Sequence, residues 1–117
     1  MPTGDCVILG VARMNAVLET DAWGNFILTG YDYMSARDWA RFGLLHLQDG
    51  VWEGARILPE GWAHYSGTVT PTAKQGEYAA QFWANAGVPG DPSDRKLPHV
   101  PADAFYASGF QGQAVLI

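Results

Sequence analysis

The chain has 117 residues, of which 48% are hydrophobic and 16% charged, and its formal net charge is -5. One domain fits this length, and a self-contained fold would bury roughly 65% of the unfolded surface, which argues against disorder. The seven Lys and Arg residues are scattered along the chain. Nucleic-acid and membrane-surface partners are therefore not expected, because both require clustered basic side chains.

Cysteine usage and the N-terminus exclude further classes. Cys6 is the single cysteine, so a disulfide framework and a thiolate metal cluster are excluded. The apolar run at residues 6–12 lacks a preceding basic segment and is too short to span a bilayer. No targeting signal is predicted, and the sequence indicates no compartment.

Aromatic residues make up 13% of the chain, beside 14 Gly and 7 Pro. This mixture is typical of a loop-rich domain whose aromatic rings pack on a sheet or line a pocket.

Residues 1–13 receive no role. A turn is predicted at residues 21–25, because Gly and Asn tolerate positive φ, and a short extended piece at residues 26–29.

The clearest predicted element is a helix over residues 36–48. Ser35 can cap its N-terminus, and Asp38 lies in the first turn, where the helix dipole favours an acid. Gly50 is predicted as the C′ residue. One stripe at helical spacing carries Trp39, Phe42 and His46, with Ala40, Leu44 and Leu47 beside it and Arg37 and Arg41 facing outward.

After the helix, a small hairpin is predicted at residues 51–57 around Glu53-Gly54. Leu58-Pro59-Glu60 predicts a second helix, with Pro at its first position and an end near Ser66-Gly67. The polar, turn-rich residues 68–76 are predicted to form a connection.

The last third of the chain predicts three strands and a long loop. A strand is expected at residues 77–86, an irregular proline-rich loop at residues 87–101, and a second strand at residues 104–107. A tight glycine-rich turn at residues 108–113 then leads into a final strand at residues 114–117.

Ser93 and Lys96 form the only Ser-x-x-Lys motif in the chain. In serine acyl enzymes this spacing places the nucleophile and the amine on adjacent turns of one helix. Here Pro92 precedes the motif and Leu97-Pro98 follows it, so no helix is expected. A chance match in a solvated loop is the preferred interpretation.

The three histidines do not predict a metal site. His46 lies on the buried stripe of the long helix and is interpreted as a core or rim residue. His64 follows Glu60 by four residues, which permits a helical ion pair. His99 belongs to the proline-rich loop. No two of them share metal-ligand spacing.

A strand running into a glycine turn is the remaining candidate site, at residues 105–113. Gly109 and Gly112 would bring bare backbone N–H groups to a cleft, which is how oxyanion sites are built. An ordinary hairpin that needs positive φ is the alternative interpretation.

Four segments in order resemble the C-terminal part of the serine β-lactamase-like family, which includes class C β-lactamases, related esterases and nylon-oligomer hydrolases. They are NAVLETDAWG at residues 15–24, YMSARDWARFGLL at residues 33–45, DGVWEGARILPEGW at residues 49–62, and the glycine turn. The resemblance covers residues 14–117.

The resemblance implies an α+β fold with an antiparallel sheet flanked by helices, as part of the β-lactamase and penicillin-binding protein architecture. Members of the family use a Ser-x-x-Lys nucleophile helix and a Tyr-x-Asn loop, both N-terminal to the matched part; this chain has neither such a helix nor a Tyr-x-Asn sequence. Their third element, Lys-Thr-Gly or His-x-Gly, falls at Ala107-Ser108-Gly109. A methyl group thus replaces the cationic or imidazole side chain.

That departure disfavours antibiotic hydrolysis, because a substrate carboxylate would lose its cationic partner, and favours the esterase or amide-oligomer branch. By the resemblance, the Phe110 N–H is the oxyanion donor. The substrate-binding residues would be Tyr106, Ala107, Ser108, Gly109 and Gln111. No cofactor and no metal are expected.

Two functions from different classes follow. The first is a C-terminal hydrolase segment that supplies the oxyanion strand and a pocket wall for a small ester or amide but is inactive by itself. The second is a non-enzymatic binding or assembly module on a partial hydrolase scaffold. Either leaves surfaces open for self-association or a partner half. The chain has about a third of the length expected for the family, so some of its five Trp residues should lack their partner surface and be unusually exposed.

Overall fold

The computed structural model of the chain describes residues 15–27 and 30–117. Within these residues the chain is α+β, with seven short strands in three antiparallel sheets and two α-helices. The predicted class is confirmed at this level. The chain divides into two compact units, Met1–Leu58 and Pro59–Ile117. The segment at residues 1–13 lies outside the described part of the chain.

The first unit contains a two-stranded antiparallel sheet. Strand β1, Ala16–Leu18, pairs with strand β2, Asp32–Met34, so that Val17 lies opposite Tyr33. Between them, the Asp21 carboxylate accepts hydrogen bonds of 2.9 Å from the backbone N–H groups of Trp23 and Asn25. The turn predicted at residues 21–25 is confirmed.

The extended piece predicted at residues 26–29 is described only in part. Phe26 pairs with Thr20 in an isolated antiparallel bridge. Leu28 and Thr29 lie outside the described residues, so the second half of that prediction remains a prediction.

Helix α1, Ala36–Leu47, follows β2 directly and begins at the predicted cap. The Ser35 hydroxyl accepts a hydrogen bond from the Asp38 backbone N–H at 3.2 Å and donates to the Asp38 carboxylate at 2.8 Å. The Arg41 guanidinium donates to the same carboxylate at 2.8 Å. This cluster satisfies a backbone donor that the first helical turn would otherwise leave without a partner.

The predicted aromatic stripe of α1 is confirmed by ring contacts. Trp39 and Phe42 pack edge to face with centroids 6.0 Å apart, and Phe42 lies 4.6 Å from the His46 ring. His46 is 5% exposed, and Leu45 beside it is fully buried. Leu47, predicted to flank the stripe, is instead 72% exposed in this chain.

The C-terminal end of α1 differs by one residue from the prediction. Asp49, not Gly50, occupies the C′ position, with φ +49 and its N–H bonded to the His46 carbonyl at 3.0 Å. Gly50 follows, and its N–H donates to the Leu45 carbonyl at 2.8 Å, which completes a Schellman motif. Gly50 is needed because a Cβ there would overlap the Leu58 side chain.

The small hairpin after α1 is confirmed. Strand β3, Val51–Trp52, pairs with strand β4, Ala55–Arg56. Glu53 and Gly54 both have positive φ, +46° and +82°, as a two-residue type I′ turn requires.

The second unit begins with helix α2, Trp62–Gly67. The helix start predicted at Pro59 is wrong, because Gly61 lies in the left-handed region at φ +75° and interrupts any helix before Trp62. The Trp62 N–H donates to the Pro59 carbonyl at 3.1 Å, so residues 59–62 form a turn. Glu60 therefore lies outside the helix that carries His64. The predicted end at Ser66-Gly67 is confirmed.

A three-stranded antiparallel sheet forms the centre of the second unit. Strand β6, Phe105–Ser108, lies between β5, Trp83–Ala84, and β7, Ala114–Leu116. The long strand predicted at residues 77–86 is mostly wrong. A tight turn breaks it, because the Ala79 N–H donates to the Phe82 carbonyl at 2.8 Å and Gln81 takes φ +69°.

The proline-rich residues 87–101 form the predicted loop, and two polar side chains organise it. Asn85 is 1% exposed and bonds to the backbone of Leu97, Val100 and Pro101. Arg95 donates to carbonyl oxygens of the same loop, at 2.6 Å to Pro92 and 2.9 Å to Pro98. The loop is therefore held by side-chain-to-backbone bonds.

Several tryptophan rings are exposed, as the sequence predicted. Trp23 is 85% exposed in the first unit, and Trp62 is 45% exposed in the second. Among the described residues, none of the helices combines the length and apolar character needed to cross a membrane.

The cluster at the start of α1 predicts acid sensitivity. The Ser35 hydrogen bond first, and the Arg41 guanidinium after it, lower the pKa of Asp38 below its ordinary value, although burial opposes the shift. The ionised Asp38 carboxylate therefore stabilises the fold above the unfolded-state pKa of about 4. This stabilisation is lost as pH falls through the lower folded-state pKa, because the folded chain then takes up the proton.

Urea unfolding between about pH 6 and pH 3 measures this effect. Asp38→Asn is expected to flatten the fall in stability toward acid pH, and Ser35→Ala should flatten it in part. An unchanged pH slope in Asp38→Asn would contradict the assignment.

Candidate functional site

The glycine turn predicted as a site connects the central strand of the second unit to its neighbour. Strand β6 ends at Ser108, an irregular 3₁₀ turn spans Phe110–Gly112, and β7 begins at Ala114. The Gly109 N–H donates to the Gln113 carbonyl at 2.7 Å and closes the turn. The strand, turn and strand predicted from sequence are confirmed.

The Phe110 N–H stands at the start of this turn. The first N–H groups of a helical turn have no acceptor within it, and Gly109, at the cap position, provides no side-chain acceptor. Phe110 itself is 86% exposed. A backbone donor in this position can bind a ligand oxygen that carries negative charge.

Gly109 is not required by the geometry of the turn. Its φ is -111° and its ψ 178°, an extended conformation open to any residue, and a Cβ there would meet only Gln113 atoms at 3.8 Å. The positive φ values fall at Gln111, +64°, and Gly112, +82°. The hairpin interpretation therefore accounts for Gly112 but not for Gly109, where a Cβ would make only ordinary contacts with Gln113.

The other predicted site residues lie at different depths. Tyr106 is buried at 7% exposure and pairs in register with Trp83 and Leu116. Ala107 is half-buried, whereas Ser108 and Gln111 are exposed near the turn. The turn thus brings Ser108, Gly109 and Gln111 together at the surface and places the Tyr106 side chain in the core.

The Ser-x-x-Lys motif lies in the proline-rich loop, as predicted. The Ser93 hydroxyl donates to the Asp91 carboxylate, which lowers the pKa of Asp91. The Lys96 ammonium lies 5.1 Å from the centre of the Trp83 ring, a cation–π contact. Each group has another partner, and the loop is not a helix, so the pair lacks the arrangement of a nucleophile and its base.

His46 is a core residue, as interpreted from its place on the stripe. Its Nδ1 lies 3.0 Å from the Phe42 carbonyl oxygen, and its ring packs on Phe42. Over residues 15–27 and 30–117, no group of three His, Cys, Asp or Glu side chains is arranged to hold a metal ion.

No known family model matches the chain, and no curated protein matches it significantly.

A concave surface in the second unit was not predicted. It has a volume of about 590 Å³ and is lined by residues of α2, the connection after it and the turn at residues 79–82. The sequence signal that could have indicated this surface is the aromatic pair Trp62 and Tyr65, three positions apart on α2. The strand predicted at residues 77–86 left no place for the tight turn that contributes Gln81.

Proposed function

We propose that this chain is the C-terminal segment of a β-lactamase-related serine hydrolase that acts on a small ester or amide. In this proposal it supplies the oxyanion-binding strand and one wall of the substrate pocket. The observation that carries it is Gly109 at the end of β6, a glycine that neither backbone conformation nor packing within the chain requires. A glycine of this kind suits a site where a substrate approaches the backbone.

The chemistry assigned to the turn is stabilisation of the oxyanion in acyl transfer. When a nucleophile attacks a carbonyl, negative charge develops on the carbonyl oxygen, and a preorganised N–H lowers the barrier. The Phe110 N–H is the donor, and the exposed Ser108, Gly109 and Gln111 form the wall beside it. Tyr106, buried beneath, positions the strand.

Ala107 determines the substrate branch in this proposal. A lysine or histidine at this place would attract a substrate carboxylate, whereas a methyl group does not. Neutral esters and amides are therefore favoured over β-lactam antibiotics. The order of elements, with capped helix α1, the β3–β4 hairpin and the β5–β6–β7 sheet, supports the partial β-lactamase-like fold expected from the resemblance.

The alternative is a non-enzymatic binding or assembly module. It is favoured by large apolar side chains left in solvent, of which Trp23 at 85% and Phe110 at 86% exposure are the strongest cases. Such surfaces mark interaction sites when they are contiguous. Self-association would be their simplest use.

The test begins with the reading frame upstream of Met1. The proposal expects that frame to encode a Ser-x-x-Lys and a Tyr-x-Asn motif, and a frame without them contradicts it. The chain by itself should not turn over a p-nitrophenyl ester, whereas the chain joined to that upstream segment should. Turnover by the chain alone that is lost in Ser93→Ala would also overturn the proposal.

The joined chain then tests the donor directly. Phe110→Pro removes the N–H, and the extended Gly109 before it already has the conformation that a following proline prefers. We expect kcat to fall about 10²–10³-fold, as for loss of one oxyanion donor.

Phe110→Ala is the matched control, because it removes the ring but keeps the N–H. It should leave kcat within about threefold of the starting value, well short of the loss expected for a missing donor. Equal losses in the two variants would show that the ring, not the backbone donor, matters.

A further inference from the structure

The concave surface of the second unit, of about 590 Å³, has the size of small-ligand sites in proteins. It is built from two aromatic side chains of α2, from Tyr78, from polar residues between them in sequence, and from residues 79–81 after Tyr78. None of these residues takes part in the proposed hydrolase turn.

Aromatic rings supply its apolar surface. Trp62 and Tyr65 have ring centroids 5.5 Å apart and planes inclined by 40°, so together they form an open angle rather than a closed stack. They are 45% and 60% exposed. Tyr78 packs edge to face on Trp83 at 5.2 Å, which holds its ring in place. Ring surface of this kind is available to a ligand.

The polar groups of the cavity are all neutral. Seven of its nine lining residues carry a hydroxyl, amide or indole N–H, the other two are alanines, and none is charged. Besides the aromatic residues, these groups belong to Ser66, Thr70, Thr72 and Gln81. The concave surface thus offers neutral hydrogen-bonding groups and no ionic partner, although Ser66 is nearly buried and the Thr70 hydroxyl already donates to the Tyr78 carbonyl.

The walls of the cavity are tied together by backbone bonds. The Thr70 N–H donates to the Tyr78 carbonyl at 3.0 Å, which joins the connection after α2 to the segment that carries Tyr78. Gln81 lies at φ +69°, a conformation that disfavours residues other than glycine, at the third position of the tight turn. Retaining a glutamine there keeps an amide at the cavity, and strained residues of this kind cluster at ligand sites.

We propose that this cavity binds a neutral carbohydrate the size of a disaccharide. A pyranose ring has an apolar C–H face that packs on aromatic rings and a rim of hydroxyls that need many neutral hydrogen-bond partners. A nucleotide would bring phosphates, for which the lining has no cationic group. A quaternary ammonium ion would need the rings but would leave the hydroxyls and the amide without a role.

Cellobiose is the probe, and the indole N–H signals of the ¹⁵N-labelled chain are the readout. The chain has five Trp residues, and Trp62→Phe identifies the signal of Trp62 by its loss. Cellobiose should shift that signal saturably, with a dissociation constant in the millimolar range. Choline chloride and adenosine monophosphate, titrated in parallel, should not.

Matched variants separate binding from folding. Trp62→Ala should weaken cellobiose binding about tenfold, and the shifting backbone amide signals of residues 63–81 measure this binding. Trp23→Ala changes an exposed tryptophan of the other unit and should leave cellobiose binding unchanged. Gln81→Gly relieves the positive φ, so it should retain or raise the melting temperature while weakening binding about threefold.

Three results would overturn the proposal. They are the absence of a saturable shift with cellobiose, equal weakening by Trp62→Ala and Trp23→Ala, and a stronger shift with choline chloride or adenosine monophosphate. Since none of these measurements involves ester turnover, the outcome is independent of the proposed hydrolase function.

Discussion

Asn85→Ala is expected to lower the free energy of unfolding by about 2–4 kcal/mol, because it leaves the Leu97 N–H without its acceptor and removes one of the two donors that bond to each of three loop carbonyl groups. The Asn85 Nδ2 donates to the carbonyl oxygens of Leu97 at 3.0 Å, Val100 at 3.1 Å and Pro101 at 3.1 Å. Its Oδ1 accepts from the Leu97 N–H at 2.9 Å. With a side chain 1% exposed, water cannot easily replace these bonds.

Urea unfolding measures the loss, and amide hydrogen exchange at Leu97 should accelerate with it. Asn25→Ala is the control, because Asn25 is exposed and its amide makes a surface hydrogen bond to Asp21 at 3.1 Å. That change should cost no more than about 1 kcal/mol. A loss below about 1 kcal/mol in Asn85→Ala would contradict the assigned role.

Gly76→Ala is expected to destabilise the chain by at least about 4 kcal/mol, since two effects add. Gly76 lies at φ +67°, where an L side chain is strained, and a Cβ there would overlap the carbonyl oxygen of Gly87. The backbone at Gly87 has little room to move, because its own ideal Cβ position is 3.1 Å from Pro92 and Asp94 backbone atoms.

Gly90→Ala separates the two effects. Gly90 has the same kind of conformation, φ +92°, but open space around it. Its substitution should cost only about 1–2 kcal/mol, the price of positive φ for an L residue. Thermal and urea unfolding of both variants provide the comparison, and equal losses would mean that the Gly76–Gly87 approach contributes nothing.

Local sequence signals predicted the elements whose causes are local. The Ser35 cap, the Trp39, Phe42 and His46 stripe, and the Glu53-Gly54 turn each depend on residues within a few positions of one another. Capping, helical periodicity and type I′ turn preferences act over that range. These elements were therefore predictable without knowledge of the tertiary structure.

The errors occurred where a more distant contact or an unusual backbone conformation decided the outcome. The sequence predicts Gly50 at C′, but Asp49 takes that position with φ +49°, and Gly50 follows it with φ +77° against the Leu58 side chain. The strand expected at residues 77–86 is interrupted at Gln81, a residue that does not favour positive φ by itself.

The candidate site shows the same division. The strand and glycine turn at residues 105–113 were predicted, because two glycines after an apolar strand are a local signal. That Gly109 is free of conformational and packing constraints was not predictable, because only the backbone angles and neighbours reveal it. The concave surface of the second unit combines residues up to 19 positions apart, so local sequence patterns could not predict it.

By itself, the sequence determined the acidic, aromatic-rich α+β character of the chain, its capped helix α1, its hairpin and its glycine turn, because short-range preferences specify these features. Only the tertiary structure decided which polar groups are buried and which glycines face open space. Burial of Asn85 under the proline-rich loop and the meeting of α2 with Tyr78 depend on contacts between residues distant in sequence. Local propensity does not encode such contacts, because their free energy arises from packing and from backbone hydrogen bonds formed across the fold.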